Sequence, residues 1–210
     1  MFIDSTYFVG EINLPNTRDN ANSITQAIDQ YEKEILIKLL GYKLYSLLIA
    51  DLDVAKKPQS QIFKDLVNGA EFDHSFRNET ILLKWNGLVN PECQSLIAYY
   101  IYYKYVEREV THLSGIGTIL PGSEKGGRVS SVNKMVNAWD RMRELYGKIP
   151  PEYKQYFNNY FGFYGTQTMG IYSPFVFNFD PSAYNFLFAN KESYPDWRFT
   201  PIWGINAFGI

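Results

Sequence analysis

One cysteine and two histidines are all that this chain of 210 residues offers to a disulfide or a soft metal. Cys93 alone excludes an internal disulfide framework and fits a reducing compartment. His74 and His112 form no pair with it at a metal-ligand spacing, so neither a metal nor another cofactor is expected. Charge of one sign is missing too. The 20 basic and 22 acidic side chains leave a net charge of −2, which argues against a general nucleic-acid surface and a polybasic membrane anchor. Long hydrophobic runs are also absent. From Cys93 to Tyr103 there are 11 uncharged residues, while a spanning helix needs about 20. Residues 155–179 lack charge as well, but their Asn, Gln, Thr, Gly and Pro174 would leave polar groups unsatisfied in lipid. No membrane partner is expected. The start, MFIDSTYFVGE, has no basic stretch followed by an apolar run, so a secretory leader is not expected and the protein should stay where it is made.

Signatures of catalysis are lacking in the same way. Gly115-Ile-Gly117 has no third glycine for a dinucleotide loop, and Gly122-Ser-Glu-Lys-Gly126 lacks the phosphate-loop spacing. There is no GxSxG elbow. Glu32 and Glu34, two apart on a helix, do not share a face and read as solvated or as intersubunit ion pairs. An enzyme is therefore not expected. A hydrolase or lipid-handling enzyme with an aromatic-lined pocket stands as the second reading, because distant residues can still assemble a site.

What the chain has is aromatic: 17 Tyr, 15 Phe and 4 Trp. The run SLIAYYIYYKYVERE at 95–109 concentrates the tyrosines. Leu96, Tyr99, Tyr103, Val106, Val110 and Leu113 recur at three- and four-residue steps, the stripe of a helix with a buried seam. Tyr100, Tyr102 and Tyr105 widen the apolar coat, and their hydroxyls need partners if buried. The seam is assigned to the chain's own core and these flanking tyrosines to a contact with a neighbouring subunit.

Other stripes predict more helices. Ser23 and Gln26 make a capping-box start. Ile24, Ile28, Tyr31, Ile35, Leu36, Leu39 and Leu40 follow on one face, with Gly41 as the stop. Residues 42–52 give a shorter helix with Leu44, Leu47 and Leu48 inward, and Ile62, Phe63, Leu66 and Val67 another, ending at Asn68-Gly69. Residues 70–91 suggest a loop or small hairpin, and Val132–Tyr146 a helix built on Met135, Val136, Trp139, Met142 and Leu145. Between the last two long helices, residues 114–130 hold five glycines and Pro121 around Ile116, Ile119 and Leu120. This fits either an ordinary surface loop or one that folds against a partner.

The last 49 residues carry 14 aromatics, four prolines and five charged side chains without helical period. Phe175, Phe177 and Phe179 alternate as on a strand face, and so do Tyr184, Phe186 and Phe188, with Asp180-Pro-Ser-Ala183 as the turn of a hairpin. Tyr164, Trp197 and Trp203 add to the same aromatic content. A hairpin cannot bury both of its faces alone, so the segment reads as a partner-binding arm lying on another surface. The fold class expected is mainly α: a helical-bundle domain over 1–161 with an extended, partly β, aromatic-rich arm over 162–210.

The runs IDQYEKEILIKLLGYKLYSLL at 28–48, FKDLVNGAEF at 63–72, KWNGL at 84–88 and SLIAYYIYYKY at 95–105 resemble the helical head–tail connector, or adaptor, proteins of tailed bacteriophages, particularly those of Bacteroidetes phages. The resemblance covers residues 1–147, and the chain departs from the compact family pattern after Pro151. It implies a structural subunit of a ring, typically twelvefold, beneath the portal vertex, which continues the DNA channel towards the tail. Implied partners are copies of the chain, the portal protein and adjacent neck or tail proteins, with transient contact to genomic DNA. The implied location is the neck of the virion, assembled in the host cytoplasm. The loop holding Ile116, Ile119, Lys125 and Arg128 would reach the channel or the adjacent ring, with Lys125 and Arg128 near DNA phosphate.

Overall fold

The apolar stripes become helices at the expected places. The computed structural model describes residues 2–14, 18–76, 79–110, 112–114, 117–119, 132–147, 181–200 and 202. Among these the chain is mainly helical: α1 Arg18–Leu40, α2 Tyr42–Ala50, α3 Gln61–Asn68, α4 Leu96–Val110, α5 Val132–Tyr146 and α6 Ala183–Ala189. Two antiparallel hairpins complete it. β1 (Ala70–Phe76) pairs with β2 (Glu79–Trp85) from Ala70 opposite Trp85 to Phe76 opposite Glu79, and β3 (His112–Ser114) pairs with β4 (Gly117–Ile119).

The core sits where α4 packs between α1 and α5. α1 contributes Ile24, Ile28, Ile35, Leu36, Leu39 and Leu40, all buried, as its stripe requires. From α4 come Leu96, Tyr99 and Tyr103, and from α5 Ala138, Trp139, Met142 and Tyr146. Tyr103 and Trp139 meet with ring centroids 4.7 Å apart. Ser95 starts α4: its Oγ accepts from the Ile97 amide and donates to the Leu88 carbonyl, 2.6 Å away. The α4 stripe ends at Val110, and Leu113 lies on β3 instead.

The helix start expected at Ser23 lies further upstream, at Arg18. Ser23 is inside the helix, and its Oγ accepts from the Arg108 guanidinium of α4 at 2.7 Å, so a tertiary partner takes the oxygen that would have capped. In α2, Leu44 and Leu48 point inward as expected, but Leu47 is 47% exposed. The spacing puts all three leucines on one face, but Leu47 lies at its edge, where the body no longer covers the helix. The N-terminal segment, in two short 3-10 turns at Ser5–Tyr7 and Gly10–Ile12, buries Ile3, Tyr7, Phe8, Ile12 and Leu14 against these helices.

The stretch expected as a second strand, with Tyr184, Phe186 and Phe188 on one face, is helix α6. Its period-2 pattern was ambiguous because Ala183, Tyr184, Asn185, Phe186 and Leu187 are all buried, leaving no polar face to betray the helical period. Ser182, read as part of a turn, is the N-cap: its Oγ accepts from the Asn185 amide. α6 lies on the inner face of the β1–β2 hairpin, where Phe186 stacks on Trp85 and meets Phe72 edge-on at 5.4 Å.

Candidate functional site

Two features bear on function: how the C-terminal segment is tied to the body, and what the body leaves uncovered. The first begins with a general need of helices. The last four carbonyls of α1 have no partner within the helix. The Ile37 carbonyl is taken by the Gly41 amide, at 2.9 Å. The other three are met by residues 197–200. Thr200 donates its amide to Lys38 (2.9 Å), Trp197 its indole N–H to Leu39 (2.8 Å), and Arg198 its amide to Leu40 (3.0 Å). The segment is thus the C-cap of α1, supplied from the far end of the chain.

Glycine makes this passage feasible. Gly41 has φ +79, and a Cβ there would lie 2.7 Å from Arg198 Cβ. Further ties hold the segment along its length. Tyr194 Oη donates to the Ile62 carbonyl at 2.7 Å, Tyr146 Oη to Thr200 at 2.6 Å, and Lys43 pairs with Asp196 at 2.7 Å. Burial raises the Tyr146 and Tyr194 phenols well above their ordinary value, so both act as neutral donors.

These contacts revise the expected placement of several residues. Tyr184 and Phe186 are buried and Trp197 is half-buried within this chain, so for residues 181–200 the covering surface is the chain's own body. Phe188 stays 39% exposed. The reason is that α1 and the hairpin each present unmet needs, backbone carbonyls in one case and an apolar sheet face in the other. Tyr164, Phe175, Phe177, Phe179, Trp203, Ile116, Lys125 and Arg128 lie outside the described residues. Ile119 is on β4, opposite His112.

The tyrosines of α4 are likewise inside. Tyr100, Tyr102 and Tyr105, expected on a flank facing a neighbour, are 1%, 4% and 6% exposed within the single chain. The polar partner that Tyr100 needs is on α1. Its hydroxyl donates to Glu34 at 2.7 Å, and Lys38 Nζ reaches both Glu34 (2.6 Å) and the Tyr100 oxygen (3.2 Å). Burial and the Glu34 carboxylate raise the Tyr100 phenol. On Glu34, burial pushes the carboxyl up, but hydrogen bonds from Lys38 and Tyr100 and the nearby charges of Lys38 and Lys104 outweigh it, and the group ends below its ordinary value. Tyr103 is pushed up to about 12 by burial and by Glu107, whose carboxylate it meets at 3.2 Å.

Sequence reasoning also misplaced Glu32. It is buried, and its Oε2 accepts from the Phe2 amide at 2.8 Å and the Ile3 amide at 3.3 Å, which fastens the N-terminal segment to α1. No signal in the local pattern marks this, because its partners lie 29 and 30 residues away.

Among the described residues, exposed apolar side chains gather on α2 and the turn after it, while Val9, Ile62, Leu82 and Phe188 are exposed elsewhere. Tyr42 is 72% exposed and Ile49 42%. Seven residues apart, they share one stripe, and Leu47, two residues from Ile49, is exposed on the other flank of the helix. At the end of α2 the chain makes a tight turn. The Asp51 carboxylate accepts from the Gln59 and Ser60 amides, and the Asp53 carboxylate from the Lys57 amide. Leu52 bridges to Pro58, and Val54 at the tip is fully exposed. Burial acts to raise the Asp51 carboxyl, but the amides of Ser60 and Gln59 hold it below its ordinary value, so it stays an acceptor at neutral pH. The result is a set of exposed apolar side chains, with Lys43 and Ser46 between them, beside a well-braced turn. Among the described residues no helix is long and apolar enough to cross a membrane. No family model matches the chain, and neither a curated protein nor a solved structure was found to be similar to it.

Proposed function

We propose that the chain is a structural subunit that works by assembling with copies of itself, and that the assembly is the head–tail connector ring of a tailed phage. The observation that carries the first part is α2. Its inner residues Leu44 and Leu48 already fill the core, yet Tyr42 and Ile49 stand exposed on one outer stripe and Leu47 on the other flank. Exposed apolar side chains gathered on one short helix and the adjoining Val54 turn mark an interaction site. The second part is supported by the resemblance to connector proteins, whose longest matching run, 28–48, spans most of α1 and nearly all of α2. In this reading α2 and the Val54 turn meet the adjacent subunit, and the ring docks beneath a portal and lines a channel for DNA.

The test is the mass and negative-stain image of the purified chain, alone and mixed with the portal protein from the same phage. Rings, or complexes with portal, are expected. A monomer that ignores portal overturns the proposal. A monomer that also turns over ester or lipid substrates favours the second reading, a hydrolase or lipid-handling enzyme.

A further inference from the structure

His74 stands on the inner face of the β1–β2 hairpin, 4% exposed, and its Nε2 has no hydrogen-bond partner among the described residues. A buried polar atom left unpaired costs free energy that an apolar side chain would not. Its ring lies edge-on to Phe72, at 6.4 Å, and Phe72 is in turn edge-on to Phe186 of α6. The imidazole therefore sits at the joint between the hairpin and the helix that leads into the α1 cap.

We propose that His74 is an acid-sensitive latch: neutral, it is buried on the hairpin face that α6 packs against, next to Phe72, and its protonation opens the contact between α6 and the hairpin and loosens residues 181–200 from the body. Among the described residues the elements packed most closely on β1 are β2 and α6, and α6 brings no charged side chain to a protonated ring. On β1, Glu71 and Asp73 alternate to the opposite, exposed face. Across the hairpin His74 faces Ile81, and Lys84 pairs with Glu71. In the register Glu79 pairs with Phe76, two residues along β1 from His74. α6 itself, AYNFLFA, carries Tyr184 and no charged side chain, and Lys191 and Glu192 just beyond it are exposed.

An imidazolium at this position must find water, which means separating the weaker joint. β1 is tied to β2 along its whole register, whereas α6 lies on it through ring contacts. The sign follows from linkage. Burial holds the His74 imidazole below its ordinary value of 6.5, so the closed form refuses a proton that the open form accepts. Closure is intact above that value and is progressively lost as pH falls below it, with the opening constant rising by up to about tenfold per pH unit.

The experiment is amide hydrogen exchange of the full chain between pH 7.5 and 5.0, corrected for the intrinsic pH dependence of exchange. In the wild type and in Glu79→Gln, the amides of α6 and of Arg198 and Thr200 should lose protection as pH falls, while those of α1 and α4 keep theirs. In His74→Phe the profile should be flat. Unchanged protection in the wild type overturns the proposal, and so does the same acid loosening in His74→Phe, its loss in Glu79→Gln, or simultaneous loosening of α1 and α4. Should His74→Phe not fold, NMR of the imidazole in the wild type decides, since His112 is the only other histidine. A His74 ring that titrates near 6.5 overturns the latch, and one that stays neutral well below that value supports it.

Discussion

Single side chains hold this fold together mostly by answering backbone groups far away in sequence. Trp197 is the clearest case, since its indole N–H satisfies the Leu39 carbonyl across 158 residues. Trp197→Phe keeps an aromatic ring but leaves that carbonyl without its donor, and should cost about 1–3 kcal/mol in urea unfolding. Trp85 does the same for α3, donating to the Leu66 carbonyl at 2.9 Å. Glu34 is a different kind of residue, because its effect depends on pH. Its carboxyl is held below the ordinary value of 4.5, so it stabilises the fold above that value, and this contribution is lost as pH falls towards the folded-state value. Unfolding midpoints measured from pH 7 to 3 should therefore fall less steeply in Glu34→Gln than in the wild type. The side chain is 39% exposed, so solvent screening keeps the difference modest.

Among the elements, α2 has a buried side and an exposed stripe of Tyr42 and Ile49, with different duties. Leu48 is fully buried, and Leu48→Ala should cost about 2–5 kcal/mol of subunit stability, read from a thermal or urea melt. Ile49, one residue on, is exposed. Ile49→Glu should leave the melt within about 0.5 kcal/mol of wild type and abolish self-association, as measured by sedimentation. An equal loss of stability in both variants would show that the outer side of α2 is core, and normal assembly of Ile49→Glu would show that α2 is not the contact. α6 makes the opposite point. It is short, buried from Ala183 to Leu187 and held by the hairpin, so its helical form depends on what it touches more than on its own seven residues.

For the whole molecule, the C-terminal segment is structural as well as terminal. Sequence alone suggested that a chain ending at Phe161 would fold and fail only in docking. With α6 on the hairpin and residues 197–200 on the end of α1, a chain ending at Asp180 should instead lose both contacts together. It should melt at a clearly lower temperature than the full chain, with the α1 end and the inner hairpin face newly open to exchange. A truncated chain as stable as the full one would return residues 181–210 to the status of a separable arm.

The sequence by itself determined the helices whose apolar residues recur at three and four. The stripes of α1, α4 and α5 were legible because one side of each is buried and the other is wet, and Gly41, Asn68-Gly69 and Ser95 punctuated them. It also showed that the aromatic C-terminal segment needs a surface, since so many rings without a period cannot bury themselves. Which surface was a matter for the tertiary structure. Tyr100, Tyr102 and Tyr105 look like flank residues on an isolated helix, and only the packing of the neighbouring elements decides that they are inside. α6 reads as a strand because burial from Ala183 to Leu187 erases the periodic signal. Glu32, Trp197 and His74 carry their roles through partners tens to hundreds of residues away or through burial, and neither distance in space nor burial is written in local pattern.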